Sequence, residues 1–216
     1  MGVSESPDGV AYRLDAGVAT IELRRSALDA PLRGELLGTV SQLRDGGVAV
    51  RAVLLTARGK HFCVGQDLKE HARALENGAA AEGARFATAF TGIGLAADSG
   101  LSGALAQAVG PSRAAALMLL GDRFGAEEAL RWGLVHRVVP DGDAAAEGLA
   151  LARRLAAGPT VAYAEVKALL RDAPGASLAT VLEREAAAQE RLGATRDHRA
   201  AVEAFLARAE PSFEGR

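Results

Sequence analysis

The most constraining feature of this sequence is a short apolar run that leads directly into a glycine-containing loop. Residues 49–56 are rich in valine and leucine, which is typical of a strand buried on both faces. In the loop that follows, Gly65 lets the backbone approach a ligand closely, and Asp67 can cap a helix that begins at Leu68. A strand end next to a helix N-terminus presents free N–H groups, which favour a carbonyl oxygen or an anion. The pattern therefore predicts either a binding loop or an ordinary turn between a strand and a helix.

Composition narrows the class of protein. The chain has 216 residues, of which 49% are apolar and 24% charged, with a net charge of −2. These values predict one globular domain, with room for a small appendage, and favour neither nucleic acid nor a membrane as partner. The single Cys63 excludes an intrachain disulfide, and the four histidines show no metal-binding spacing, so we expect no metal. Residues 1–10 lack the apolar core of a signal peptide and no apolar run reaches membrane-spanning length, so we expect a cytoplasmic location.

The first part of the chain predicts a mixed α/β core. Residues 10–14 and 18–23 alternate as two strands of a hairpin, with a turn at residues 15–17. Pro31 then begins a helix whose leucines recur at helical spacing up to residue 45. The buried strand at residues 49–56 follows this helix, and a strand, a helix and a second strand in this order favour parallel pairing.

The second part of the chain is predominantly helical. A helix is predicted from Leu68 to about residue 77, and Ser99 is a candidate cap for a helix containing Leu101, Leu105 and Val109. Further segments are predicted as helices at 111–120, 125–132, 144–157, 161–170, 178–192 and 200–207, with a strand at 134–139. We therefore divide the chain into an α/β core at residues 1–140 and a helical region at residues 141–216.

Several motifs occur together and in a characteristic order. They are GKHFCVGQDLKE at 59–70, IGLAADSG at 93–100, EEALRWGLV at 127–135, AF at 204–205 and PSFEGR at 211–216. Each motif alone could arise by chance, but their joint occurrence over nearly the whole chain is specific. With these motifs the sequence resembles the crotonase superfamily, the enoyl-CoA hydratase/isomerase fold, closest in motif to the dienoyl-CoA isomerases and the ring isomerases of phenylacetate degradation.

The resemblance implies a fold, a substrate class and an assembly. The expected fold is a crotonase-like spiral of ββα units with a helical C-terminal region that makes a trimer, or a dimer of trimers. The expected substrate is an acyl-CoA thioester, and no separate cofactor is expected because coenzyme A is part of the substrate. In the family, two backbone N–H groups hold the thioester oxygen and stabilise the negative charge that forms on it.

The resemblance also implies roles for individual residues. By position, the first N–H donor of this oxyanion hole is that of Gln66. Val64 and Leu68 would lie against the pantetheine arm, and Arg25 and Ala27 near the nucleotide. The complete set of substrate-binding residues implied in this way is Arg25, Ala27, Val64, Gly65, Asp67, Leu68, Phe90 and Leu95.

One departure from the family is a difference in length. Roughly forty to fifty more residues lie in the family between the helix after Asp67 and the region of Phe86, which exceeds ordinary loop variation. They contain a buried strand and the glycine-rich turn with the second oxyanion donor. Either this protein has lost the segment, or the sequence joins residues across an unrecorded gap near 77–81. We favour the gap, because deleting a central strand leaves neighbouring backbone groups unpaired.

A second departure concerns the proton-transferring residues. Hydratases carry a glutamate where this chain has Phe90, and water addition ordinarily uses two carboxylates. Asp98, however, occupies the place of the catalytic aspartate of the isomerases named above, and we expect it in an apolar pocket among Ile93, Leu95 and the acyl chain. The resemblance therefore implies double-bond isomerisation with Asp98 and Gln66 as catalytic residues. The alternatives are a hydratase, a non-catalytic acyl-CoA binder or assembly subunit, and an Asp98 that only caps the next helix.

Overall fold

The computed structural model describes residues 3–5, 9–45, 49–63, 79–98 and 100–216. Its strands are β1 (Val3–Glu5), β2 (Val10–Asp15), β3 (Val18–Leu23), β4 (Ala52–Ala57), β5 (Ala79–Ala81), β6 (Arg85–Phe86), β7 (Phe124–Gly125) and β8 (Arg137–Val139). Its helices are α1 (Ala30–Asp45), α2 (Leu101–Val109), α3 (Pro111–Leu120), α4 (Ala126–Arg131), α5 (Ala144–Ala156), α6 (Thr160–Asp172), α7 (Leu178–Gly193) and α8 (Arg196–Ala207). This mixture of strands and helices agrees with the predicted α/β class.

The main sheet has the strand order β1-β2-β3-β4. The hairpin of β2 and β3 is antiparallel, with Tyr12 opposite Ile21, while β4 runs parallel to β3, with Leu55 opposite Ile21. Helix α1 makes the crossover between the two parallel strands, as such a connection requires. The predicted hairpin and the predicted parallel pairing are both confirmed.

Strand β3 packs against helices on both faces. On one face Ile21 and Leu23 pack against Leu32 of α1. On the other face Val18 packs against Ala152 and Ala156 of α5. The small alanine side chains bring α5 close to the sheet. The helical region beyond residue 140 thus shares a core with the strands of the first part.

A second core lies between α2, α3 and α4. It contains Ala80, Leu105, Val109, Ala114, Leu117, Phe124, Ala126, Ala129 and Val135. Phe124 stacks on Phe86 with a centroid distance of 5.3 Å and contacts Trp132 at 4.9 Å. This aromatic contact joins β6 and β7, and the loop that leaves β6 therefore starts from a fixed point.

The helices predicted after residue 100 are all present, within a few residues of the predicted bounds. The short strands β5, β6 and β7 were not predicted. Residues 79–81 are three alanines, which favour a helix in isolation, but in the structure they pair in parallel with β8. The helix predicted from Leu68 and the cap predicted at Ser99 lie outside the described residues. Within the described ranges, no helix has the length and apolarity to cross a membrane.

Candidate functional site

The loop between β6 and α2 carries the candidate proton-transferring residue, and its first half is anchored to α3. Thr88 is buried, and its Oγ1 donates to the carbonyl oxygen of Leu117 at 2.6 Å. Thr91 Oγ1 donates to the carbonyl oxygen of Leu119 at 3.3 Å. These carbonyls belong to the last turn of α3, and that of Leu117 also accepts the hydrogen bond of Gly121 N at 3.0 Å. The two threonines therefore fix the loop to the end of α3.

The loop then turns sharply before Asp98. The carbonyl oxygen of Phe90 accepts hydrogen bonds from Ile93 N at 3.1 Å and Leu95 N at 3.0 Å. Gly94 has φ of +75°, a conformation that favours glycine because it has no Cβ. The turn brings Phe90, which is half-buried, and Leu95 into one compact unit.

Asp98 lies on the surface of the described chain, and the apolar pocket expected around it, which includes the acyl chain, stays a prediction. Its side chain is exposed, and the two neighbours expected to enclose it are also exposed, Ile93 by 54% and Leu95 by 39%. Neither Ile93 nor Leu95 belongs to the core between α2, α3 and α4. The N-cap of α2 is Gly100, and Asp98 accepts the hydrogen bond of Leu101 N with its main-chain oxygen at 2.9 Å. The residue at the N-cap position of α2 is thus Gly100, and the position of the helix start does not support Asp98 as the cap.

Arg25 and Ala27 lie in the loop between β3 and α1, and both are half-buried. The Arg25 guanidinium forms an ion pair with Asp29. Asp29 also accepts a hydrogen bond from Leu32 N at 2.9 Å, so it caps the first turn of α1. Arg25 Nε is buried and has no hydrogen-bond partner among the described residues. Asp29 thus holds the Arg25 guanidinium in this loop, and the role of Arg25 toward a nucleotide stays a prediction.

The predicted oxyanion loop lies outside the described residues. This applies to Val64, Gly65, Gln66, Asp67 and Leu68. The structure describes the chain up to Cys63, six residues beyond the end of β4, so the loop leaves from the carboxyl end of a parallel strand. Ligands of open α/β sheets generally bind at this end. The roles of these five residues remain predictions.

Two further residues, Arg51 and Asp197, hold the segment after α8, and the sequence analysis did not identify them. Arg51 donates from Nε to Thr160 Oγ1 at 3.1 Å, from Nη1 to the carbonyl of Phe213 at 3.0 Å and from Nη2 to that of Gly158 at 2.6 Å. These partners lie more than 100 positions away along the chain, so no local sequence pattern predicts these contacts. The start of β4 is thereby joined to the segment after α8.

Asp197 is the second of these residues. It is 4% exposed, and its two carboxylate oxygens accept hydrogen bonds from Glu214 N at 2.7 Å and Gly215 N at 2.9 Å. Asp197 N also donates to the carbonyl of Arg216 at 3.0 Å. The motif PSFEGR at 211–216 is therefore held by main-chain hydrogen bonds to one buried carboxylate, which explains its position but assigns it no chemistry.

Outside the loops described above, the features to consider are an exposed ion pair, a cavity and the grouping of possible metal ligands. The Arg191 guanidinium donates two hydrogen bonds of 2.8 Å to Glu165 and holds the pKa of that carboxyl below its ordinary value. A cavity of about 500 Å³ opens beside β6, β7 and α4, and no predicted site residue lines it. In the described part of the chain, no three histidine, cysteine, aspartate or glutamate side chains are grouped to hold a metal ion.

Fold and sequence together define the class of protein. The family model for enoyl-CoA hydratase/isomerase matches residues 13–82 and 78–216. The two matched ranges cover nearly the whole chain. The protein therefore belongs to the enoyl-CoA hydratase/isomerase family, and its fold is the crotonase fold.

Individual relatives support this assignment. The chain is 34% identical to a Rhodobacter capsulatus protein named "Probable enoyl-CoA hydratase", over 96% of this chain and 98% of the relative. It is 30% identical to the 1,2-epoxyphenylacetyl-CoA isomerase of Escherichia coli, with the same coverage of both chains. A crystal structure from Mycobacterium abscessus, assigned to enoyl-CoA hydratase/isomerase, is 46% identical with a TM-score of 0.87, over 96% of this chain and 100% of that one.

The alignments also locate a difference in length. The match to the Rhodobacter capsulatus relative extends over 255 residues, and that to the Escherichia coli relative over 260, whereas this chain has 216. Both relatives therefore have residues that this chain lacks. The family match is split into two ranges that meet at residues 78–82. This break coincides with the position near 77–81 where we predict the missing segment.

Proposed function

We propose that this protein shifts the double bond of an enoyl- or dienoyl-CoA thioester. The observation that carries the proposal is the make-up of the loop after β6, which has the hydrocarbon side chain of Phe90 and the carboxylate of Asp98. A double-bond shift needs one group that takes a proton from one carbon and returns it to another. Asp98 can act in this way alone, whereas adding water ordinarily needs two carboxylates, and Phe90 cannot transfer a proton.

The proposed reaction proceeds through a thioester enolate. The Asp98 carboxylate removes a proton from a carbon of the acyl chain, and the electrons of the broken C–H bond move toward the thioester oxygen. Gln66 N–H donates to that oxygen and stabilises its charge, a contribution of about 3 kcal/mol for one such donor. Protonated Asp98 then returns the proton to a different carbon, so the substrate and product have the same atoms. The bound acyl chain itself would remove Asp98 from water, since the protein leaves this side chain exposed.

The names of the relatives include both an isomerase and a hydratase. The Escherichia coli relative is named as an isomerase and the Rhodobacter capsulatus relative as a hydratase. Hydration is thus the nearer alternative, and it would require a second carboxylate from residues that this chain lacks. The break in the family match favours a third candidate from another class, a non-catalytic acyl-CoA binder.

Hydrogen isotope exchange separates these candidates. A crotonyl-CoA or longer enoyl-CoA is incubated with the protein in D₂O, and deuterium at the acyl carbons is followed by NMR. We expect exchange and a shifted double bond with the wild-type protein, and a rate about 10² to 10⁴ times lower with Asp98→Asn. Asp122→Asn, a matched change of another exposed aspartate, should exchange at the wild-type rate.

Each other outcome identifies an alternative. Formation of a 3-hydroxyacyl-CoA by the wild-type protein would establish hydration. Exchange no faster than in protein-free solution, with retained binding of the thioester, would establish a binder. An Asp98→Asn variant that loses stability and thioester affinity together, rather than turnover alone, would show that Asp98 has a structural role.

We also propose that the protein assembles as a trimer or a dimer of trimers in the cytoplasm. Large apolar side chains are at least 70% exposed on α3 and the last three helices, namely Leu119, Leu120, Leu170, Leu178, Phe205 and Leu206. Exposed apolar surface of this kind favours association between subunits. Light scattering should give a multiple of 22.2 kDa, and a monomer at micromolar concentration would contradict the proposed assembly.

A further inference from the structure

The last turn of α3 forms a seat for the loop that carries Asp98. Gly121, which ends this helix, has no side chain. A Cβ added to Gly121 would meet the carbonyl oxygen of Thr88 at 3.5 Å and Thr91 Oγ1 at 3.8 Å, so the loop lies directly against the helix end. The same two threonines donate their hydroxyls to carbonyl oxygens of this turn. Packing and hydrogen bonds thus fix the beginning of the loop at one place.

Thr91 binds the helix with its side chain and the sharp turn of the loop with its main chain. Its Oγ1 donates to the carbonyl oxygen of Leu119 at 3.3 Å. Its own carbonyl oxygen accepts the hydrogen bond of Gly94 N at 3.0 Å, within the turn at residues 90–95. One hydroxyl therefore connects α3 to the turn that immediately precedes Asp98 in the loop.

Asp98 lies between this turn and the start of α2. Ala96 and Ala97 join it to the turn, and its main-chain oxygen accepts the hydrogen bond of Leu101 N at 2.9 Å. Because the connection to the turn is so short, a shift of the turn on α3 also moves the backbone of Asp98. Proton transfer requires a carboxylate within hydrogen-bond reach of the proton, and a misplacement of about 1 Å can lower a rate about 10²-fold.

We propose that Thr91 is a positioning residue for Asp98. Its hydroxyl fixes the turn on α3 and thereby sets where the Asp98 carboxylate stands relative to the acyl chain, so this inference rests on the reaction proposed above. The hydrogen bond is long and lies at an exposed position, and its loss should therefore change the stability of the fold very little. Its loss should lower kcat instead, because a loop that carries a reacting group needs such support.

The kinetics of the double-bond shift test this role. Thr91→Val removes the hydroxyl and keeps the shape of the side chain, so we expect kcat to fall about 10- to 100-fold while KM stays within about twofold. Thr91→Ser keeps the hydroxyl and should retain most of the wild-type kcat. Thr39→Val is the matched control, because Thr39 Oγ1 also donates to a main-chain carbonyl, that of Glu35 on α1 at 2.8 Å. This control should have the wild-type kcat.

Two further measurements show whether Thr91 acts through Asp98 and the turn. In the Asp98→Asn background the carboxylate is already absent, so adding Thr91→Val should lower the residual rate less than about twofold. Hydrogen–deuterium exchange follows the turn without any turnover. The Gly94 amide should exchange at least about fivefold faster in Thr91→Val, while the Gly110 amide, bonded to the carbonyl of Ala106 at the end of α2, should not change.

Failure of this role and failure of the proposed reaction give different results. An unchanged kcat in Thr91→Val, an unchanged Gly94 amide, or an equal loss in the wild-type and Asp98→Asn backgrounds would overturn the role of Thr91 and leave the reaction intact. A raised KM with the wild-type kcat would make Thr91 a substrate contact and would also overturn it. No double-bond shift by the wild type, or full activity of Asp98→Asn, would refute the proposed reaction itself.

Discussion

The segment after α8 and the loop that carries Asp98 are both irregular, yet the protein holds them differently. The segment after α8 is fixed from two sides, because Asp197 binds its main-chain N–H groups and Arg51 binds the carbonyl of Phe213. In the loop, Thr88 and Thr91 fix the first half to α3, and the residues from Ile93 to Asp98 are largely exposed. The first segment has all its partners within the described chain.

This difference shows which of the two segments is held by contacts within the described chain. The contacts of the segment after α8 involve β4, α8 and the turn before α6, all of which are present. The exposed part of the loop has an apolar character that would suit a covering element, and so has the face of β4. These two surfaces belong to β4, which precedes the break at 78–82 in the chain, and to the loop after β6, which follows it. The proposed site of the reaction thus lies on the more exposed of the two segments.

Removing the carboxylate of Asp197 tests most directly whether burial fixes the segment after α8. Asp197→Ala leaves two N–H groups without acceptors in a buried place, so we expect a loss of about 2 to 4 kcal/mol in the free energy of unfolding, measured by urea denaturation. Asp141→Ala is the matched control, because Asp141 also accepts a main-chain hydrogen bond, from Gly83 N at 2.8 Å, but is exposed. It should cost at most about 1 kcal/mol. Equal losses in the two variants would show that burial is not what fixes the segment after α8.

Removing a threonine hydroxyl that anchors the loop should cost less stability than removing the Asp197 carboxylate. Thr88→Val keeps the shape of a buried side chain but removes the hydroxyl that donates to Leu117, so we expect a loss of about 1 to 2 kcal/mol. Thr91→Val removes a longer hydrogen bond at an exposed position and should cost less than about 0.5 kcal/mol. Thermal unfolding of both variants measures the difference. If Thr91→Val were the more damaging change, the anchor of the loop would lie nearer to Asp98 than the structure indicates.

Much of the fold was predictable because its signals are local. The hairpin of β2 and β3 and the helices after residue 100 follow from alternation, helical spacing and glycine or proline boundaries. The strand at residues 79–81 was not predictable, because three alanines acquire extended structure only by pairing with β8. For the same reason the Arg51 contacts escaped prediction, since the partner at Phe213 is 162 positions away.

The candidate site was predictable only through the family resemblance. Composition and spacing indicate a loop at residues 59–70 that suits an anion or a carbonyl oxygen, but they do not single out Asp98. Its place within the motif at 93–100 does so. The exposure of Asp98 was not predictable, because it depends on which elements cover the loop, and a motif does not contain that information.

The smallest expected effect concerns an exposed pair that contrasts with buried Asp197. Arg191 on α7 lowers the pKa of Glu165 on α6, so in the folded protein this carboxyl stays ionised to lower pH than in the unfolded chain. The resulting stability is present above the unfolded pKa of glutamate, near 4.3, and is lost as the pH falls through the lower folded pKa. Wild type should therefore be slightly more stable than Glu165→Gln at pH 7, and the two should converge near pH 3 in thermal unfolding. Glu185→Gln, an exposed change on α7, should show no such convergence, and a pH-independent difference for Glu165→Gln would contradict the ion pair as its cause.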